Sequence, residues 1–120
     1  MAIAITVQNV DAPGSTVLVT GTLAFSGNYT TGGDTLDWTT ATEQIAPSGK
    51  TIPSVTPPQL VLVASQDGNA DNYVPVQGNA LNNWKVKCFA AGGTEVSAGA
   101  YPTAITGDVV VFLAQFPKLQ

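Results

Sequence analysis

The chain has no histidine and no arginine, and its only cations are four lysines. Charged residues make up 10% of it, against roughly 25% in an ordinary soluble domain. These shortages remove much enzyme chemistry at the outset. No imidazole is present to move protons near neutral pH, and no guanidinium to grip a carboxylate or phosphate through two parallel hydrogen bonds. The formal net charge is −4, and Lys85 and Lys87 are the only cations close together, so no nucleic-acid surface is expected. One cysteine, Cys88, leaves no intrachain disulfide to form. No apolar run approaches the roughly 18 residues of a membrane helix, so no membrane partner is expected. The opening MAIAITVQNV lacks the basic n-region of a secretory signal.

What the chain has instead is small polar and β-branched residues. At 120 residues it reads as one β domain spanning 1–120. Its aromatic and β-branched content can repay the entropy of ordering, so few charges here do not mean disorder. They imply a surface of Thr, Ser, Asn and Gly, much of it covered by other subunits.

Alternation with a period of two marks the strands. Val17, Val19, Gly21, Leu23 and Phe25 share one face, and Gly21 in the middle predicts a bulge or bend. Ile3, Ile5 and Val7 repeat the pattern, as do Trp84, Val86 and Cys88 with Lys85 and Lys87 opposite. LVLVA (60–64) and DVVVFLAQF (108–116) are apolar on both faces, which predicts central or covered strands. Gly92-Gly93 is the best hairpin signal. A helical turn is expected only in DWTTATEQIA, with Thr39 or Thr40 as cap and Glu43 as its capping-box partner. The expected fold is all-β: a single sandwich or jelly-roll-like domain of about seven to nine short strands. A Pro-rich extended loop or arm at 46–59 interrupts it. Lys50, Ile52, Pro53, Val55, Pro57 and Pro58 on this arm are candidate interface residues.

Chemical motifs are weak. Asp67, Asn69 and Asp71 copy the start of a calcium loop, but Asn72 and Gly78 stand where glycine and glutamate are needed, so a turn is the better reading. Asp34 and Asp37 could pair as acid and base. Asp34 follows Gly32-Gly33, however, where capping of the local backbone is the common role. Cys88 shares a face with Trp84 and Val86 and belongs in the core. Trp38, Tyr73, Trp84 and Tyr101 could form a sugar-stacking platform. Alternatively Trp84 lies in the core and the others at subunit contacts, with Trp38 and Tyr101 open to either role. Asn28-Tyr29-Thr30 is a glycosylation sequon by letters alone. No catalytic residue, cofactor or metal is expected.

Two stretches, GTLAFSGNYTTGGDTLDW (21–38) and AGAYPTAITGDVVVFLAQFPKL (99–119), with NNWKVKCF between them, resemble small virion proteins of tailed bacteriophages. The resemblance covers about half the chain and its motifs are structural rather than chemical. It implies a non-enzymatic head decoration (cement) protein, made in the host cytoplasm and bound to the capsid exterior. The partner would be the major capsid protein, and the protein itself a homo-oligomer, with a trimer as the first expectation. Carbohydrate-binding or adhesive virion modules and head–tail or tail structural proteins are the alternatives the same sequence allows.

Overall fold

Alternating side chains set the first strand: Ile3, Ile5 and Val7 are buried while Ala4 and Gln8 are open. The computed structural model describes residues 3–11, 16–40, 42–43, 56–65, 72–90 and 92–117. The longer strands are β1 (Ile3–Asp11), β2 (Thr16–Phe25), β4 (Asp34–Leu36), β6 (Leu60–Ser65), β7 (Asn72–Val76), β8 (Trp84–Phe89) and β10 (Val110–Pro117). Two-residue pairings add β3 (Asn28–Tyr29), β5 (Thr42–Glu43) and β9 (Gly99–Ala100). The only helical pieces among the described residues are a 3-10 turn at Trp38–Thr40 and one α-turn, α1, at Thr103–Thr106. The domain is all-β and sandwich-like, as the alternation predicts.

One layer is a five-stranded sheet in the order β5-β1-β2-β10-β6. The other is made by β4-β8-β7 and the small pair β3-β9. Between them lie the inward rows of each strand: Val17, Val19, Leu23 and Phe25 from β2, Val110, Phe112, Ala114 and Phe116 from β10, and Trp84, Val86 and Cys88 from β8. Aromatic edges lock the layers together. The Trp38 ring meets Phe112 at 5.3 Å and Phe116 at 5.4 Å, both edge-on, a favoured arrangement.

Gly21 is where β2 needs to be narrow. A Cβ there would lie 2.0 Å from the Thr6 carbonyl oxygen and 3.0 Å from the Phe112 ring. The bulge expected at Gly21 falls on its partner: the β1–β2 register slips between Val7 and Asn9, leaving Gln8 as the extra residue opposite Gly21.

Three local expectations change. The turn in DWTTATEQIA forms, but Asp37 caps it, accepting from the Thr39 N–H at 3.0 Å and the Thr39 hydroxyl at 2.6 Å. The backbone of Glu43 continues into a strand rather than the turn. It lies in β5, paired in parallel with β1, because an open ladder edge there offers backbone bonds that a short helix cannot. Of the two alternatives for the apolar strand 60–64, central or covered, the described sheet removes the first. β6 is the last strand on its side of the sheet, whereas β10 is paired on both sides. α1 follows Pro102, whose carbonyl accepts from Ile105 and Thr106 at 3.0 and 3.1 Å. A single turn is too short to leave a helical period in the sequence.

The stretches 21–38 and 99–119 pair with each other. β2 lies against β10, and β3 against β9, so these motifs form one half of the scaffold. The Gly92-Gly93 hairpin forms, closed by Ala90 N–H to the Thr94 carbonyl at 2.8 Å and Val96 N–H to the Cys88 carbonyl at 2.9 Å.

Candidate functional site

The side chains with acid–base chemistry gather at one end of the sandwich, around Phe25. Tyr73 stacks on Phe25 at 5.3 Å, Tyr101 meets it edge-on at 5.6 Å, and Tyr29 meets Tyr101 at 5.7 Å. Each tyrosine hydroxyl donates to a carboxylate: Tyr29 to Glu95 at 2.5 Å, Tyr73 to Asp108 at 2.7 Å, and Tyr101 to Asp34. Burial, reinforced by Glu95, holds the Tyr29 hydroxyl far above its ordinary ionisation range, and burial with Asp34 does the same for Tyr101. Glu95 is shifted the other way. The Tyr29 hydroxyl first, and the Gly32 N–H at 2.8 Å second, hold its carboxyl below the usual value.

These groups are fully engaged with one another. Asp108 accepts from Tyr73 through one oxygen and from the Ser65 hydroxyl at 2.8 Å through the other. Asp34 likewise divides its oxygens between Tyr101 and the Thr30 N–H at 3.2 Å. The cluster ties loops to strands, with Asp34 and Asp108 buried and Glu95 half-buried at the edge of an open recess of about 360 Å³ lined by Thr94, Val96, Ala98, Ala100 and Pro102.

The loop entering β4 is built for this tie. The Gly33 N–H closes a turn onto the Thr30 carbonyl at 2.9 Å. Gly33 itself has φ +106°, and a Cβ on it would sit 2.8 Å from the Val86 carbonyl oxygen, so only glycine fits. Asp34 caps the turn as its position after Gly32-Gly33 predicts. Asp37 faces Thr39 instead, so the two aspartates serve separate turns.

Sequence reasoning placed the remaining candidates with mixed success. Cys88 and Trp84 are buried as expected. Trp38 and Tyr101, candidates for a subunit contact or a sugar platform, are core residues with 2% and 6% exposure. Tyr73 is buried too, so the four aromatics offer no open stacking surface. The reason is physical: each ring fills the gap between sheets, and the Tyr73 and Tyr101 hydroxyls find buried carboxylates there. Pro58 is also buried and Pro57 half-buried. Just beyond them the Gln59 N–H donates to the Gln115 carbonyl at 2.7 Å, so this end of the Pro-rich stretch is fastened to β10. Lys50, Ile52, Pro53 and Val55, like Asp67, Asn69 and Asp71, lie outside the described residues.

The open surface that the fold creates is the outer face of the five-stranded sheet. Register sets its rows across β2, β10 and β6: Leu18–Gln115–Leu60, Thr20–Leu113–Leu62 and Thr22–Val111–Ala64. β1 extends it with Thr6 beside Thr22 and Ala4 beside Ala24. Leu62 is 53% exposed and Leu60 46%, unusual for leucines in a strand ladder. A shallow recess of about 310 Å³ opens beside Leu62, lined by Gln8, Thr20, Leu113, Val111 and Ala64, with Gly21 and Phe112 at its floor. On β1, β2, β10 and β6 the face has no charged side chain except Asp11 at its corner, where β1 ends opposite Leu18. The opposite layer differs, because Lys85 and Lys87 point outward from β8, beside Val76 and Val74.

No protein-family model, curated protein or solved structure matches the chain significantly.

Proposed function

We propose that the protein is a non-enzymatic structural component of a bacteriophage virion, a decoration or cement protein that binds the outside of the head and stabilises it. The observation that carries this reading is the uncharged outer face of the five-stranded sheet, with Leu60 and Leu62 standing open on its edge strand. An isolated domain gains nothing from such a face, whereas an assembly component buries it. The motif resemblance supplies the context, since its two stretches form the paired scaffold on which that face is built. The tyrosine–carboxylate ties support a non-enzymatic role, because they commit Asp34, Asp108 and all three tyrosine hydroxyls to internal partners.

In this reading the rigid sandwich acts through area rather than chemistry. Each copy buries loop and strand-edge surface across capsomer junctions of the major capsid protein. A shell repeats the same contact many times, so a modest free energy per site becomes a large stabilisation of the closed lattice. Co-sedimentation with undecorated capsids of the phage that encodes the chain tests this. Saturable binding to undecorated heads, with none to heads already decorated, is the expected result. Failure to bind heads at any concentration would contradict it.

A further inference from the structure

We infer that the outer face of the five-stranded sheet is a self-association surface, on which a second copy of this chain packs face to face about a two-fold axis. Charge permits a second copy on this face, while the loops and strand edges remain for the capsid. The chain carries a formal net charge of −4, and two like molecules repel wherever their carboxylates meet. On the four strands β1, β2, β10 and β6 they do not meet: only Asp11, at the corner, is ionisable there. Different proteins are usually oriented on each other by complementary charges, and this face offers none to read. What it offers is shape.

Leu62 stands out of the sheet at the rim of a recess of about 310 Å³, which it lines together with Thr20, Leu113, Val111 and Gln8. Projection and hollow therefore lie side by side on one surface. A two-fold axis passing between them puts the Leu62 of each copy into the recess of the other, the reciprocal arrangement of a closed dimer. A three-fold axis would need the two features on different sides of the molecule. The residue types fit sheet-on-sheet packing, in which aligned layers interdigitate about 10 Å apart.

Size sets the strength. Four strands at about 4.8 Å spacing, over about six residues each, give roughly 400 Å² in plan per copy. A pair then buries about 800 Å² or somewhat more, below the roughly 1,200 Å² at which stable specific interfaces begin, so a weak and transient association is expected, in the upper micromolar range, rather than an obligate dimer. The pairing does not depend on the assembly being a virion.

Sedimentation velocity of the full chain from about 1 to about 200 micromolar tests it, a window chosen to bracket a micromolar Kd. The expected result is a monomer–dimer equilibrium in the wild type. Leu62→Asp should weaken it by ~10-fold or more. Leu60→Asp, on the neighbouring row, should do the same, and Val74→Asp on the opposite layer should leave it intact. Circular dichroism melts identify any variant that fails to fold, and the exposure of Leu60 and Leu62 makes such failure unnecessary for the effect. A wild type that stays monomeric, forms trimers, or dimerises equally well with Leu62→Asp and Leu60→Asp overturns the inference. Capsid binding by a protein that stays monomeric would leave the decoration reading standing while this pairing fell. A dimer that ignores capsids would do the reverse.

Discussion

Tyr29, Tyr73 and Tyr101 are all the tyrosines in the chain, and each commits its hydroxyl to a carboxylate from a distant part of the sequence. Glu95 is the most informative partner because it is only half-buried and joins two loops, through Tyr29 and Gly32. Its carboxyl is held below the ordinary 4.5 by those two donors. As pH falls the unfolded chain takes up this proton before the folded one does. The tie therefore contributes fully above pH 4.5 and is lost as pH drops through the lower folded value. Glu95→Gln should melt earlier than wild type near neutral pH, and the gap should close in acid. A gap that stays constant from neutral pH into acid would show that the charge on Glu95 is not what holds the loops. None of this pairing was legible in the sequence. Partners separated by 66, 35 and 67 residues leave no local spacing to read, whereas the capping role of Asp34 was legible because its turn lies in the four residues before it.

Strands were the readable elements, since a buried row every second residue is imprinted directly on β1, β2 and β8. Less readable was which strand lies beside which. The doubly apolar segments 60–64 and 108–116 look alike as sequence, yet one is an edge and the other is paired on both sides. That difference depends on chain crossing, to which local periodicity is blind. Gly21 shows the same limit: the sequence marks a narrow point in β2, and the bulge it accommodates lies on β1. Gly21→Ala should be severe, because the new methyl would meet the Thr6 carbonyl oxygen at 2.0 Å with the Phe112 ring at 3.0 Å. A loss of roughly 3 kcal/mol is expected, lowering Tm by about 10 °C. A variant that melts within a degree or two of wild type would mean that β1 and β2 separate easily there, and would undo the account of the bulge.

At the scale of the whole molecule the two layers differ in character, one uncharged on its outer face and the other carrying Lys85 and Lys87. Shortage of charge in the composition anticipates a covered surface, but only the fold gathers that shortage onto one sheet. Aromatic residues went the other way. Trp38 and Tyr101 are candidates for contact as residue types, and both lie inside, Trp38 against Phe112 and Phe116 and Tyr101 against Phe25 and Tyr29. The proposed role follows from these two outcomes together: rings and carboxylates consumed internally, and an uncharged face left outside. A cement protein does more than adhere, since it must raise the free energy needed to open the shell. The direct test is the disruption temperature of undecorated capsids, measured by calorimetry as the protein is added. The account predicts a rise that saturates at a fixed number of copies per capsomer. Capsids that bind the protein yet come apart at the same temperature, or that never bind it, would contradict it.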